Sequence, residues 1–483
     1  MNKNLSDIKS LLFNNIDSRQ TIFKNTFWLA VAEAVNRFLK LILLIYVART
    51  FGATDYGKFT FALAFASLFS IFSDFGLPSI TTRELSQEKE KEKEFPALLS
   101  LKIILTLVAL ILIILSSFFI TPEPIIKKLI WILAIYILIS NFSEIIYAFL
   151  RARQKMEYEA WAKILQALAV TLVGFLVIRK FRSIESLSYA YLTASLVAFI
   201  FILVFFHFKI YRLRLNWDKS IWQRFLSLSW PLALAGAFGW IYGQTDTIVM
   251  GYFGQLTQTG WYNAAYKIVG VSLIPMALIS QGFFPALNLA FKESKEKLQR
   301  IWNYFMESMI FLAFPIVAGG IILAPKIIDF VYDPSYFHSI LAFQILILMT
   351  GISFLATPFN NILIVFNQQK KLFWFTFLGA IIDVILNLLL VPKYSLYGAA
   401  LTSVANAILI FFLLFKFTLK FTSIQPFDSK FIFSFINAFL STAFMILLIS
   451  QPKIYNLNIL FSVFLGALIY SVSFFSIKNL CKL

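Results

Sequence analysis

Thiol and imidazole chemistry are nearly missing from this chain of 483 residues. It has one cysteine, Cys481, and two histidines, His207 and His338, far apart in sequence. A single cysteine cannot close an internal disulfide, and two separated histidines do not make a zinc or redox-metal centre. Charge is also scarce, with 14% Asp, Glu, Lys and Arg against 60% hydrophobic residues. Mean hydropathy is +0.80. No soluble domain needs so much apolar surface, and apolar runs of about twenty residues recur from end to end. The third scarcity is loop length. No connection clearly exceeds about fifteen to twenty residues, which leaves no room for a soluble catalytic domain. Short outer loops such as Thr121 to Lys128 give a membrane glycosyltransferase or polymerase no platform, and there is no nucleotide-binding motif. The expectation is an all-α polytopic membrane protein that transports and is not an enzyme.

Breaking the chain at its polar, turn-rich stretches predicts about fourteen transmembrane helices. The first two are expected near 24–49 and 58–82, the last two near 430–450 and 457–477. Lys and Arg divide 27 to 10 between the two sides, with 5 of the 42 inside spans. That bias places both termini in the cytoplasm of a cell (inner) membrane protein. The formal charge of +18 is thereby a topology signal and no sign of nucleic acid. The run Glu88 to Glu94 reads as a solvated connection. Leu5, Ile8, Leu12 and Ile16, at helical spacing in a polar N-terminal stretch, suit a short helix on the membrane surface or a frayed tail.

Two weak echoes indicate an internal repeat. Phe51-Gly52, a short polar stretch and Gly57 match Phe253-Gly254 through Gly260-Trp261, about two hundred residues later. Leu187 to Ser195 echoes Leu396 to Val404 at an offset of 209. Six spans per repeat keep both halves in one orientation. The expected organisation is a cytoplasmic tail (1–23), an N-lobe of helices 1–6 (24–209), a cytoplasmic linker (210–224), a C-lobe of helices 7–12 (225–420), and two further helices with a tail (421–483). Pro231, Pro275, Pro285, Pro315 and Pro358 lie in or near second-lobe spans and can kink them beside a cavity or simply for packing.

Charges inside the spans carry the functional reading. Glu33, Arg37 and Lys40 fall within about 60° on the first span, at 100° per residue. An ion near the bilayer centre costs on the order of 3 kcal/mol, so such a stripe faces water, a partner or a polar ligand. Glu33 and Arg37, four apart, can pair. Lys58 opens span two and Lys267 lies a few residues into span eight. These cations suit an anionic headgroup between two lobes, Arg as a bidentate clamp and Lys as a point charge. The alternative is that Lys40, Lys58 and Lys267 snorkel to the interfaces. In the second lobe Asp246, the i,i+4 pair Asp383 and Asn387, then Thr402, Ser403 and Asn406 supply oxygens for a hard cation or a proton relay, or hydrogen bonds between helices. Asp74 and Glu144 are further intramembrane acids.

With these features in place, the chain resembles the polysaccharide (oligosaccharide) flippase family, of O-antigen-translocase type, within the multidrug/oligosaccharidyl-lipid/polysaccharide exporter superfamily. The resemblance covers nearly the whole length. It rests on Val47-Ala48-Arg49-Thr50-Phe51-Gly52-Ala53-Thr54-Asp55-Tyr56-Gly57, on Phe72-Ser73-Asp74-Phe75-Gly76-Leu77, and on Asp246 through Gly254. It implies alternating-access translocation of an isoprenoid-diphosphate-linked oligosaccharide from the cytoplasmic to the outer leaflet, for cell-surface polysaccharide export. The isoprenoid tail would stay among membrane lipid, and no partner subunit is required, so a monomer is expected. By position in the first, second and eighth helices the family implies Arg37, Lys58 and Lys267 as diphosphate ligands. It implies a sodium site at Asp246, Asp383, Asn387 and Thr402. No cofactor is expected beyond Na+ or H+ as coupling ion. The alternative is a cation-coupled multidrug or organic-cation antiporter of the same superfamily, which should have an acidic, aromatic cavity.

Overall fold

The computed structural model describes residues 15–480. The expectations on Leu5, Ile8, Leu12 and Cys481 lie outside the described residues, and Ile16 is exposed. Every regular element among the described residues is helical. They are α1 (Ser18–Leu68), α2 (Ser70–Asp74), α3 (Leu77–Gln87), a 3-10 helix (Lys89–Glu94), α4 (Phe95–Ile120), α5 (Pro124–Ala152), α6 (Met156–Phe181), α7 (Ile184–Lys209) and α8 (Lys219–Tyr252). There follow α9 (Leu256–Ser272), α10 (Ile274–Glu293), α11 (Lys295–Val331), a 3-10 turn (Pro334–Tyr336), α12 (Ser339–Val365), α13 (Gln369–Phe421), α14 (Ser429–Ile449), α15 (Pro452–Tyr455) and α16 (Ile459–Leu480). Eleven helical stretches are long and apolar enough to cross a membrane. This is a multi-pass membrane protein.

The chain forms two compact units, Met1–Gln244 and Thr245–Leu483, divided within α8. In the first unit Phe95, Phe149, Phe206 and Tyr211 pack in tilted and edge-to-face pairs with ring centroids 4.6–6.5 Å apart. The segment 210–224 packs on that unit: the Trp222 indole donates to the Ala97 carbonyl at 2.8 Å, and the Asn216 N–H to that of Pro96 at 3.3 Å. In the second unit Trp302 and Phe359 anchor a buried cluster of α11 and α12. A further cluster joins α11, α14 and α16 around Tyr470 and Phe474.

Two helices, of 51 and 53 residues, are more than twice as long as one span needs. The 53 residues of α13 would run about 80 Å at 1.5 Å per residue. The chain leaves helical geometry at Ser395 (φ 53°) and folds back, so the Asn406 amide donates to the Gly379 carbonyl at 3.1 Å. In α1 the corresponding bend is Gly52, at φ 73°. Gly254, the other glycine of the Phe-Gly echo, sits at φ 71°, so both copies put glycine where a side chain would be strained. The halves share two more such turns, Gln154 with Asn367 and Arg182 with Ser395, each 213 apart. Backbone bonds repeat with them: Lys155 N–H to Leu150 O at 2.9 Å, and Gln368 N–H to Leu363 O at 2.8 Å. This is the 6→1 bond that closes a helix C-terminus on a left-handed residue. The echo of Leu187 with Leu396, offset 209, lies four residues, about one helical turn, out of this register.

Some expected spans break. The stretch 58–82 is interrupted at Phe69 and at Phe75–Gly76, where φ is 47° and 70°. The fully buried Lys102 donates to the Ser73 carbonyl there at 2.7 Å. The stretch 260–290 breaks at Leu273, before Pro275 opens α10, whereas Pro231, Pro285, Pro315 and Pro358 lie inside continuous helices. The acidic-basic run 88–94 is structural. Glu92 accepts from Arg153 at 2.9 Å, Arg153 lies 4.4 Å over the Phe149 ring, and Glu94 pairs with Arg224.

Close approach at the α13 bend generates a test. A Cβ on Gly398 would lie 2.5 Å from the Leu390 carbonyl oxygen and 2.7 Å from its carbon, backbone atoms that no rotamer change can move. Gly398→Ala should cost about 1–3 kcal/mol and lower the melting temperature of the detergent-solubilised protein. Gly236→Ala, with nothing within 4 Å of the added carbon, should not lower it. Equal melting of both variants would contradict the hairpin.

Candidate functional site

The densest polar cluster of the second unit follows from two helix spacings and two turns. Asp383 and Asn387 share a face of α13 before its bend, which returns Ser403 and Asn406 alongside them. The Gly254 turn sets Asp246, near the end of α8, beside Tyr262 on α9. All six are at most 6% exposed. Asn387 Nδ2 donates to Asp246 Oδ1 at 2.7 Å and to Asp383 Oδ2 at 3.3 Å, so one amide bridges two carboxylates. Asp246 Oδ2 accepts from Ser403 Oγ at 3.0 Å and from the Tyr262 hydroxyl. Asp383 Oδ1 accepts from Asn406 Nδ2 at 3.2 Å.

Among the described residues no Lys or Arg pairs with either acid. Two carboxylates in a low-dielectric interior without a base must take up a proton or a cation. The Asn387 and Asn406 side-chain oxygens are buried with no hydrogen-bond donor. Carboxylate and amide oxygens left open in this way fit a hard cation or a carboxyl proton. Thr402 was expected in this set, but its hydroxyl donates to the Gly398 carbonyl on its own helix at 3.0 Å. The neighbouring Ser403 makes the contact instead. Tyr262 was also missed; its only sequence signal is its place opposite Asp246 across the Phe-Gly turn.

The basic residues expected at the site fall in both units. Arg37 Nε donates to Glu33 Oε1 at 2.6 Å, one turn earlier, with side chains 67% and 52% exposed. Lys58 pairs with Asp55 at 3.0 Å. Both pairs belong to the first unit and the half-buried Lys267 to the second.

The first unit encloses a polar cavity of about 260 Å³ between α1, α5 and α6. Glu33, Asn36 and Lys40 line it from one face of α1, with Tyr136 and Glu144 from α5 and Lys163 from α6. Glu144 and Lys163 belong to an ion quartet. Arg151 contacts Glu144 at 2.8 Å and Glu159 at 2.8 Å, and Lys163 contacts them at 3.1 and 2.8 Å. The sequence shows Glu144 as an intramembrane acid but not its partners, because Arg151 and Glu159 flank a turn and look like loop charges. Nearby, the buried Lys24 ties α1 to Glu157 at 2.9 Å.

Residues 22–291 match the sequence profile of the family described as polysaccharide biosynthesis protein. "Capsular polysaccharide biosynthesis protein CapF" of Staphylococcus aureus is 24% identical, over 78% of this chain and 94% of its own length. "Probable low-salt glycan biosynthesis flippase Agl15" of Haloferax volcanii is 21% identical, over 78% of this chain and 79% of its own. Among solved structures, the lipid II flippase MurJ in its inward closed conformation superposes with a TM-score of 0.76, covering 92% of this chain and 97% of that one at 18% identity. The chain has that transporter fold, and with more than half its length under the profile it belongs to the polysaccharide biosynthesis protein family.

Proposed function

We propose that this protein is a flippase that carries an isoprenoid-diphosphate-linked oligosaccharide from the cytoplasmic to the outer leaflet of the cell (inner) membrane by alternating access. The observation that carries the reading is family membership in a chain whose described residues are helical and membrane-spanning almost throughout. The names of the relatives, in capsule and glycan assembly, support it. In this reading both termini are cytoplasmic, the N- and C-lobes rock about a central path, and the protein works as a monomer. Arg37, oriented by Glu33, binds the diphosphate together with Lys58 and Lys267. The isoprenoid tail stays among membrane lipid.

Coupling is assigned to Asp246, Asp383, Asn387 and Ser403, with Na+ or H+ as the ion. The ion would supply the positive charge that two buried carboxylates need. Asn387 would hold both acids in register through its amide, and Ser403 and Tyr262 would orient Asp246 by donating to it. An organic-cation antiporter is the weaker reading. The first-unit cavity has its acids already tied to bases, and Lys40 would repel a cationic drug.

Reconstituted in liposomes with a labelled lipid-diphosphate oligosaccharide, the protein should accelerate exposure of the glycan to an impermeant probe; a rate equal to that of empty vesicles would refute the flippase reading. Arg37→Ala should lower that rate about tenfold or more, the factor that a charge-assisted contact of about 1.5–3 kcal/mol carries, without changing membrane insertion. Retained transport would make Arg37 structural. Asp383→Asn should abolish any response of transport to an imposed sodium or proton gradient, and an unchanged response would remove the acid pair from coupling.

A further inference from the structure

Charge accounting in the first-unit cavity singles out one group. Glu33 is held by Arg37 at 2.6 Å. Glu144 is held by Arg151 at 2.8 Å and Lys163 at 3.1 Å. Lys163 also lies 5.1 Å over the Tyr147 ring. Every ion at this cavity therefore has a partner except Lys40, whose ammonium makes no ion pair or hydrogen bond with the described residues. Asn36 and the Tyr136 hydroxyl line the same space and likewise make no hydrogen bond there. Glu33, Asn36 and Lys40 sit at i, i+3 and i+7, so one stripe of α1 presents them together.

We propose that this cavity is a subsite for an acidic sugar of the translocated glycan, with Lys40 binding its carboxylate. The inference rests on the flippase reading and names a chemical class within its substrate. A hydroxylated ring both donates and accepts hydrogen bonds. Its hydroxyls can donate to the Glu33 and Glu144 carboxylates and accept from the Asn36 amide and the Tyr136 hydroxyl. One net positive charge matches one carboxylate. A diphosphate fits worse: it offers acceptors and several negative charges to a wall carrying two carboxylates and a single unpaired cation. The volume of about 260 Å³ accommodates a sugar ring and is small for a drug-sized ligand. The lysine that sequence reading left open to snorkelling becomes the anchor of this subsite.

The purified full-length protein in detergent is titrated with methyl β-glucuronide, methyl β-glucoside and inorganic pyrophosphate, and binding is read by saturation-transfer NMR. Glucuronide should bind about tenfold more tightly than glucoside, the factor of one modest charge contact. Lys40→Gln should erase that preference, and Lys40→Arg, which keeps the charge, should retain it. Tyr136→Phe should weaken both sugars. A preference intact in Lys40→Gln, equal binding of the two sugars, no saturable sugar binding, or displacement of glucuronide by pyrophosphate would each overturn the proposal. No transport step enters this readout. Failure of glycan exposure in liposomes and failure of sugar binding are therefore separate results.

Discussion

A charge inside the hydrocarbon layer must be matched, and the polar interior of this protein is organised by that constraint. Losing one member of a buried pair costs about 3–5 kcal/mol, because its partner is left uncompensated. Helices of the first unit are accordingly tied together by ions. Lys24 reaches Glu157 at 2.9 Å, the quartet around Glu144 and Glu159 joins α5 to α6, and Lys102 binds the carbonyl freed by the break after Ser73. Against this background the exceptions carry the functional argument. Among the described residues Asp246 and Asp383 lack a base, and Lys40 lacks an acid. The first imbalance calls for a cation and the second for an anion, each within its own unit.

The helical, membrane-spanning fold was legible because an apolar run of about twenty residues is a local signal that needs no tertiary information. The i,i+4 pair Asp383–Asn387 was legible for the same reason. The choice between Thr402 and Ser403 was not. Neighbours on a helix point about 100° apart, and only the phase set by the bend at Ser395 decides which hydroxyl meets Asp246. The break at Phe69 was equally hidden, since the sequence there is mostly apolar on both sides, whereas Gly76 and Pro78 do mark the one at Phe75.

Counting basic residues by side of the membrane conceals what single residues do. Arg151, Arg153 and Arg224 all count toward the bias from which orientation is predicted, yet each is held by a named carboxylate. The alternating run 88–94 has the composition of a solvated loop, and its Glu92 and Glu94 nonetheless fasten α5 and α8. Composition describes such a segment correctly on average and misses the two positions whose partners lie about sixty and 130 residues further along the chain.

The three shared left-handed turns make the two halves measurable against each other. Gly52 and Gly254 are 202 apart, but the next two pairs of turns are both 213 apart. Eleven residues were therefore gained between the first and second turns and none between the second and third. Over that interval α11 has 37 residues where α4 has 26. The other segments of the interval differ by a few residues that cancel, so the net gain equals the extra length of α11, some three turns or about 16 Å. The duplicated design has thus diverged most in length at α11, and a chimera that exchanges the halves would have to be cut with that helix in mind.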